Sequence, residues 1–340
     1  MLHLSKESQG AIEIVPMPTD SDMKGMATPE KEEKVSCRKF SGKIDTDWKV
    51  SSYSYLVSQK IPEAEFPDRD RHRYDEWNIH EAREDFIEKT DIFSFPRGVR
   101  AGIFFHDLFE HLDFSSSDPN HQNALVDNKL KAYGYSVKWQ KPVRSMINNV
   151  LSIPIETTNN GRLALTSIQC QDRINEMEFY FPLNPITPHQ LVKIFHAHAG
   201  NDVIGFPERI ETLAFSASKG YMKGYIDIVF RHNGRYYIID WKSNFLGSHV
   251  KNYNNEALNQ IMGREYYLLQ YHLYTLALHQ YLRLRLPGYR YENDFGGVIY
   301  MFIRGIDPDK SHEFGLYKDL PDPKLIHDLG KLLIPGYDHK

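Results

Sequence analysis

The fold is decided by residues 221–242, YMKGYIDIVFRHNGRYYIIDWK. Residues 221–230 and 235–241 are rich in β-branched and aromatic side chains, which favour strands. Between them, Asn233-Gly234 is a strong signal for a two-residue hairpin turn, because both central positions need a positive φ. In such a turn His232 faces Arg235, and the residue numbers of every cross-strand pair sum to 467. The stretch therefore predicts an antiparallel hairpin of defined register.

This register places Asp227 opposite Asp240, with Cβ atoms about 4.5–5.5 Å apart, and Lys242 on the same face. Two close carboxylates are ligands for a hard divalent cation, and an ammonium beside them can stabilise charge on a phosphate. A solvated face with incidental ion pairs is the alternative, and it is disfavoured because Asp is depleted in strands. The other face is predicted to pack in the core through Ile226, Ile228, Phe230, Tyr237, Ile239 and Trp241.

The flanking sequence predicts an alternation of helices and strands. Apolar residues recur at helical spacing over residues 98–112, and this helix carries His106. Residues 178–181 read as a short aromatic strand ended by Pro182, and residues 297–303 as a buried strand. Further helices are predicted over residues 124–151, 187–198 and 264–286. This order indicates an α/β fold, with a mixed central sheet flanked by helices.

Composition narrows the classes of function. The 340 residues carry a net charge of −4, so a basic surface must be local; residues 219–243 hold five basic and two acidic side chains, 5 − 2 = +3. Only Cys37 and Cys170 are present, which excludes a four-cysteine cluster and a disulfide framework. Without a signal-peptide pattern or an apolar span, we expect a soluble cytoplasmic protein with no membrane partner. No G-x-x-x-x-G-K-S/T motif occurs, so no ATPase or helicase activity is expected.

Domain organisation is predicted to be simple. Residues 1–47 mix charges of both signs with three prolines and lack apolar periodicity, which is typical of a linker or of the tail of a preceding region. Residues 48–340 are predicted to form the folded domain.

Six short motifs stand out along the chain: Gly224-Tyr225-Ile226-Asp227, Asp240-Trp241-Lys242-Ser243-Asn244, Gln270-Tyr271-His272-Leu273-Tyr274, Phe95-Pro96-Arg97-Gly98, His106-Asp107-Leu108-Phe109-Glu110 and Phe295-Gly296-Gly297-Val298-Ile299-Tyr300. Together they closely resemble the C-terminal nuclease domain of the RecB family of exodeoxyribonuclease V, over roughly residues 45–335. The fold that this resemblance implies is restriction-endonuclease-like, the PD-(D/E)XK fold.

The resemblance implies a metal centre and a catalytic lysine. Lys242 falls on the lysine, and Asp227 and Asp240 are implied to be catalytic as well as ligating. The family usually has Tyr where this chain has Trp241, a change expected to matter little because that side chain faces the core. The implied cofactor is Mg²⁺, with Mn²⁺ substituting and Ca²⁺ binding without supporting catalysis. The implied metal ligands are His106, Asp227, Asp240 and the backbone carbonyl of Trp241.

For four of the residues in these motifs or near them, a structural role is the alternative to the functional role that the resemblance implies. Gln270 and Tyr274 occupy the positions by which the family contacts DNA, although an amphipathic helix with one polar residue is the alternative. Glu178 resembles a strand glutamate near the site, where an accessory role and a surface role are both open. His106 alone would suggest an ordinary helix histidine, since Mg²⁺ prefers oxygen ligands.

The function implied is a metal-dependent DNA nuclease that hydrolyses phosphodiester bonds. It would be a module of a RecBCD-type helicase–nuclease, working in double-strand break repair and degradation of linear DNA. Expected partners are DNA, preferably single-stranded, with RecC-like and RecD-like subunits and a helicase portion. The chain itself would be a detached module, a truncated product or a fragment. Alternatives are a non-catalytic DNA-binding or docking module and a stand-alone PD-(D/E)XK nuclease.

Overall fold

The computed structural model describes residues 42, 48–57, 90–116, 118–157, 161–198, 205–215, 219–310 and 313–337. The chain divides into two units, Met1–Asp45 and Thr46–Lys340, and all elements below belong to the second. The predicted linker, residues 1–47, lies almost wholly outside the described residues. Within the described ranges, no helix has the length and apolar character needed to cross a membrane.

Eight strands and ten helices are described in these ranges. The strands are β1 (Trp48–Ser52), β2 (Ile155–Glu156), β3 (Arg162–Leu163), β4 (Arg173–Leu183), β5 (Lys219–His232), β6 (Arg235–Lys242), β7 (Phe295–Phe302) and β8 (Leu316–Asp319). The helices are α1 (Tyr53–Val57), α2 (Val99–Glu110), α3 (Pro119–Ala132), α4 (Gln140–Ser152), α5 (Pro188–Ala197), α6 (Phe206–Glu211), α7 (Asn255–Arg264), α8 (Tyr267–Arg285), α9 (Tyr291–Asp294) and α10 (Pro323–Leu333). Short 3₁₀ turns lie at Val137–Trp139, Leu165–Ser167, Cys170–Asp172, Val250–Tyr253 and Ile303–Gly305.

A six-stranded mixed sheet organises the domain. Its order is β1-β5-β6-β7-β8, with β4 paired to β5. The pairs β1–β5 and β6–β7 are parallel, and the other neighbours are antiparallel. Strand β5 holds the sheet together because its first residues pair with β1, its last residues with β6, and most of its length with β4. The predicted fold class, a mixed α/β sheet flanked by helices, is confirmed.

Hydrophobic cores cover both faces of the sheet at the β5–β6 hairpin. On one side α5, α8 and α10 pack against residues such as Val229 and Ile238. On the other side α2, α3 and α4 pack against Ile228, Ile239 and Trp241. The expectation that only one hairpin face packs is therefore wrong, because the sheet is the middle of three layers. Ile226, predicted to lie with Ile228, packs in the first core instead.

Three predicted boundaries also differ from the structure. The helix expected over residues 124–151 is two helices, α3 and α4, separated by Gly134 at φ 65°. The strand around residues 178–181 extends in both directions and contains Pro182. This proline is tolerated because, within the described ranges, β4 pairs with β5 along one edge and with no strand along the other. The helix expected from residue 264 begins at Tyr267, after Tyr266 at φ 57°.

Candidate active site

The site lies where strands β5 and β6 separate. The predicted register is confirmed from His232–Arg235 to Ile228–Ile239, and Asn233 and Gly234 have φ values of 48° and 80°. The ladder ends there, so Asp227 and Asp240 do not form a directly opposed strand pair as predicted. Asp240 instead pairs with Tyr300 of β7 in the parallel ladder. The two carboxylates therefore line the gap that opens between β5 and β6 beyond the Ile228–Ile239 pair. We call this gap the fork.

Asp227 is buried between α2 and β6. Its Oδ1 lies 3.2 Å from Nδ1 of His106, and its Oδ2 accepts a hydrogen bond from the backbone N–H of Trp241 at 2.8 Å. Helix α2 holds His106 in place because Phe105 and Phe109 on the same helix are completely buried. The indole of Trp241 stacks on Phe109 with centroids 4.2 Å apart, so this side chain does face the core as predicted. The Trp241 N–H thus ties the end of β6 to the Asp227 carboxylate.

A third ligand candidate, Glu176, was missed in the sequence. One ligand atom each of His106, Glu176 and Asp227 lies within 4.8 Å of the others, which makes this group a possible metal site. Glu176 has a φ of 48°, and the β4–β5 register passes over the Glu176–Asp227 position between its Met177–Ile226 and Asn175–Ile228 pairs. The left-handed backbone of Glu176 therefore interrupts the ladder next to Asp227. Glu176 lies just before the strand predicted over residues 178–181, and the strand in the structure begins earlier, at Arg173.

Glu178 lies outside this group, on the exposed surface next to it. Its Oε1 accepts hydrogen bonds from the hydroxyls of Tyr225, at 2.7 Å, and Tyr180, at 3.0 Å, and it pairs with Lys223 at 3.2 Å. The Tyr225, Tyr180 and Lys223 contacts lower the pKa of Glu178. Its carboxylate therefore binds neighbouring surface side chains and does not belong to the His106–Glu176–Asp227 group.

Asp240 and Lys242 form a buried ion pair on the side of the fork that faces α8. Both side chains are almost fully enclosed, and Nζ of Lys242 lies 2.6 Å from Oδ1 of Asp240. The ammonium also sits 4.0 Å above the ring of Tyr267 and 5.2 Å from that of Tyr300. Asp240 does not join the His106–Glu176–Asp227 group among the described residues. The site thus has two adjoining parts, a carboxylate–imidazole group and an ion pair.

Gln270 and Tyr274 lie inside the protein, next to Lys242. Gln270 Oε1 accepts hydrogen bonds from Lys242 Nζ at 3.2 Å and from the Tyr300 hydroxyl at 3.0 Å, and its Nε2 donates to the Tyr274 hydroxyl at 3.1 Å. Both side chains are buried. Burial, and then the charge of Asp240, raise the pKa of Tyr300 well above its ordinary value, so its hydroxyl stays protonated as a donor. The arrangement supports the position of the lysine.

Arg304 fixes the loop before α2 to the end of β6. Its guanidinium is buried and donates to the backbone carbonyl of Ser243 at 2.9 Å. It also donates to the carbonyls of Ile92, Phe95 and Pro96 at 2.7, 3.0 and 2.8 Å. Because these carbonyls precede the helix that carries His106, one side chain links the two halves of the site.

The domain has a mixed sheet between two layers of helices, with acidic side chains and a lysine at the fork. This architecture is that of a restriction-endonuclease-like fold. No protein-family model matches the chain. Curated relatives do match: it is 41% identical over 234 residues to the RecBCD enzyme subunit RecB of Escherichia coli strain K12, covering 68% of this chain and 19% of the relative. The same subunit of Haemophilus influenzae is 30% identical over 343 residues, covering 97% of this chain and 27% of the relative.

RecB of Buchnera aphidicola subsp. Schizaphis graminum is 34% identical over 251 residues, covering 73% of this chain and 20% of the relative. The chain belongs to the RecB family. It spans about a fifth to a quarter of the length of these three relatives.

Proposed function

We propose that this chain is a metal-dependent deoxyribonuclease module that hydrolyses phosphodiester bonds. The observation that carries the proposal is the meeting of three metal-ligand side chains with the Asp240–Lys242 ion pair at one fork of the sheet. Membership of the RecB family supports the same reading, since each relative is named as a subunit of the RecBCD enzyme.

The donor set suits a hard divalent cation. His106, Glu176 and Asp227 offer an imidazole and two carboxylates within 4.8 Å of one another, in a largely buried setting. Mg²⁺ fits the two carboxylates, and Asp240 and the Trp241 carbonyl are the further ligands that the family pattern implies. When bound, Mg²⁺ would lower the pKa of a coordinated water and neutralise charge on a phosphoryl oxygen. We expect Mn²⁺ to substitute for it and Ca²⁺ to bind without supporting cleavage.

Lys242 supplies a fixed positive charge. Its ammonium is held by Asp240, Gln270 and two tyrosine rings, so little reorganisation is needed when negative charge develops on the phosphate. Lysine suits this role because its ammonium is a compact point charge with three donors. Asp227 and Asp240 would complete the catalytic set: Asp240 would orient the ammonium, and Asp227 would help to hold the metal.

The wider assembly is part of the proposal. The full RecBCD-type enzyme would combine this module with a helicase portion and with RecC-like and RecD-like subunits, in double-strand break repair and degradation of linear DNA. The sequence carries no nucleotide-binding loop of the G-x-x-x-x-G-K-S/T type. The chain would therefore receive DNA whose strands have been separated elsewhere, and single-stranded DNA is its expected substrate.

Asp240→Ala tests the proposal. We expect loss of Mg²⁺-dependent cleavage with DNA affinity within a few-fold of wild type, because the change removes a carboxylate of the site and no phosphate-binding cation. Asp309→Ala, at an exposed aspartate, is the matched control and should cleave normally. Metal-dependent cleavage by rigorously purified Asp240→Ala protein would refute the assignment, and intact binding with no cleavage by wild type would favour a docking module.

A further inference from the structure

Beside the fork, one face of the sheet is left open to solvent. The first half of β5 lies between β1 and β4, and its Met222 packs in the core below α8 together with Phe179 of β4. The side chains that alternate with these point the other way. Trp48, Tyr180 and Tyr221 are 51%, 53% and 41% exposed. We call this surface the aromatic face, made of Trp48, Tyr180, Tyr221, Lys223 and Tyr225.

The aromatic face begins directly next to the carboxylate group. In the β4–β5 register the pairs after the Glu176–Asp227 position, on the same face, are Glu178–Tyr225, Tyr180–Lys223 and Pro182–Tyr221. Successive pairs of this kind are about 7 Å apart, since a strand rises about 3.3 Å per residue. The surface therefore leads away from the metal-ligand candidates for about 20 Å.

Its chemistry combines flat rings with ammonium groups. Nζ of Lys223 lies 5.3 Å from the ring of Tyr180 and 5.4 Å from that of Tyr225, and Trp48 packs edge-on against Tyr221 at 5.9 Å. Lys219 adds a second cation on the same side of β5, paired in register with Trp48. Among the residues that the structure describes, the carboxylate of Glu178 contacts this face, where it pairs with Lys223.

Rings that alternate with lysines on an open sheet suit a single nucleic-acid strand. Every base has a π-face that can stack on an aromatic side chain, while the lysines attract the phosphates. A duplex hides its base faces and cannot stack in this way. A protein partner could also cover exposed aromatics, but it would not need a track that ends at the carboxylate group.

We infer that the aromatic face binds the single-stranded DNA that adjoins the phosphate to be cleaved. This inference rests on the proposed nuclease function and deepens it, because it gives the preference for single strands a structural source in this chain. Glu178 holds Lys223 between Tyr180 and Tyr225 in the free protein. The lysine is thereby kept beside the rings on which bases would stack.

The test is a binding measurement that does not depend on cleavage. Fluorescence anisotropy with a labelled oligothymidine and a labelled duplex, both in EDTA, compares wild type with a Tyr180→Ala, Tyr221→Ala double variant. Stacking contributes about 1–3 kcal/mol per base, so single-strand affinity should fall at least tenfold while duplex affinity stays within about twofold. Tyr281→Ala is the matched control: this tyrosine is also 41% exposed, but it lies on α8 over the opposite face of the sheet.

A second readout separates this inference from the proposed function. With Mg²⁺, the double variant should cleave a long single strand more slowly than wild type does. Weaker single-strand binding by the double variant in EDTA would support the aromatic face as a DNA-binding surface, even if wild type proved unable to cleave DNA. Failure of wild type to cleave would refute only the proposed nuclease function. Unchanged single-strand affinity in the double variant would overturn the inference. The inference would also fail if the double variant lost affinity for a RecC-like subunit but not for single-stranded DNA, because the aromatic face would then be a protein interface.

Discussion

Lys242 is tightly constrained by its neighbours. Its ammonium has a carboxylate at 2.6 Å, an amide oxygen at 3.2 Å and two tyrosine rings within 5.2 Å. A buried lysine remains charged only where such partners replace water, and here Asp240 supplies the opposite charge. The same contacts that compensate for burial also fix the direction in which the ammonium can act.

Lys242→Ala should separate cleavage from binding. Removing one electrostatic stabiliser of a transition state typically lowers the rate about 10²-fold or more, whereas metal and DNA binding should persist. Single-turnover cleavage rates and Mn²⁺ titrations measure the two effects. Lys310→Ala, at an exposed lysine, is the control. An unchanged single-turnover rate in Lys242→Ala would make this residue structural only.

Gln270 gives the sharpest choice between two roles. If it acts through Lys242, as its hydrogen bonds indicate, Gln270→Leu should lower kcat about tenfold or more and leave KM for DNA nearly unchanged. If it contacts DNA, KM should rise instead. Gln270→Glu, which keeps an acceptor for both Lys242 and Tyr300, should recover part of kcat. A rise in KM alone for the Leu variant would restore the DNA-contact interpretation.

At the scale of elements, the hairpin shows which features local sequence determines. Asn233-Gly234 sets the register of β5 on β6, and this register holds up to the Ile228–Ile239 pair. The course of β5 beyond that pair depends on β1 and β4, whose pairing cannot be read from the hairpin itself. Glu176 was missed for this reason: it reaches Asp227 because β4 pairs with β5, and the hairpin does not specify that pairing.

His279, on helix α8, is expected to make the stability of the protein depend on pH. Burial, with a smaller contribution from Arg283, lowers the pKa of His279 to about 4, whereas an unfolded histidine titrates near 6.5. Between these values the unfolded chain binds a proton that the native one does not, so stability is lost as pH falls. From pH 7 to pH 5 the contribution is about 2 kcal/mol, an upper value because His279 keeps some contact with solvent.

Urea denaturation at pH 7 and pH 5 measures this effect. We expect His279→Gln to lose less stability between the two pH values than wild type does. His121→Gln, at an exposed histidine of α3, should behave like wild type. Equal losses in wild type and His279→Gln would contradict the lowered pKa of His279 in the native protein.

At the scale of the whole molecule, the site lies where two cores meet. His106 comes from a helix packed on one face of the sheet, and Gln270 from a helix packed on the other. Arg304 then ties the loop before α2 to Ser243. The hairpin register pointed to Asp227, Asp240 and Lys242, and the family resemblance pointed to His106. The enclosure of Gln270 depends on Tyr300 from another strand, which no local pattern specifies.

The most direct test of the account uses the whole chain without any other protein. End-labelled single-stranded and duplex DNA are incubated with it in Mg²⁺ or in EDTA, with no ATP. We predict cleavage of the single strand in Mg²⁺, slower cleavage of the duplex, whose opening costs about 1.4 kcal/mol per base-pair step, and none in EDTA. No cleavage in any lane by a folded protein would contradict the claim that this chain is itself a metal-dependent nuclease.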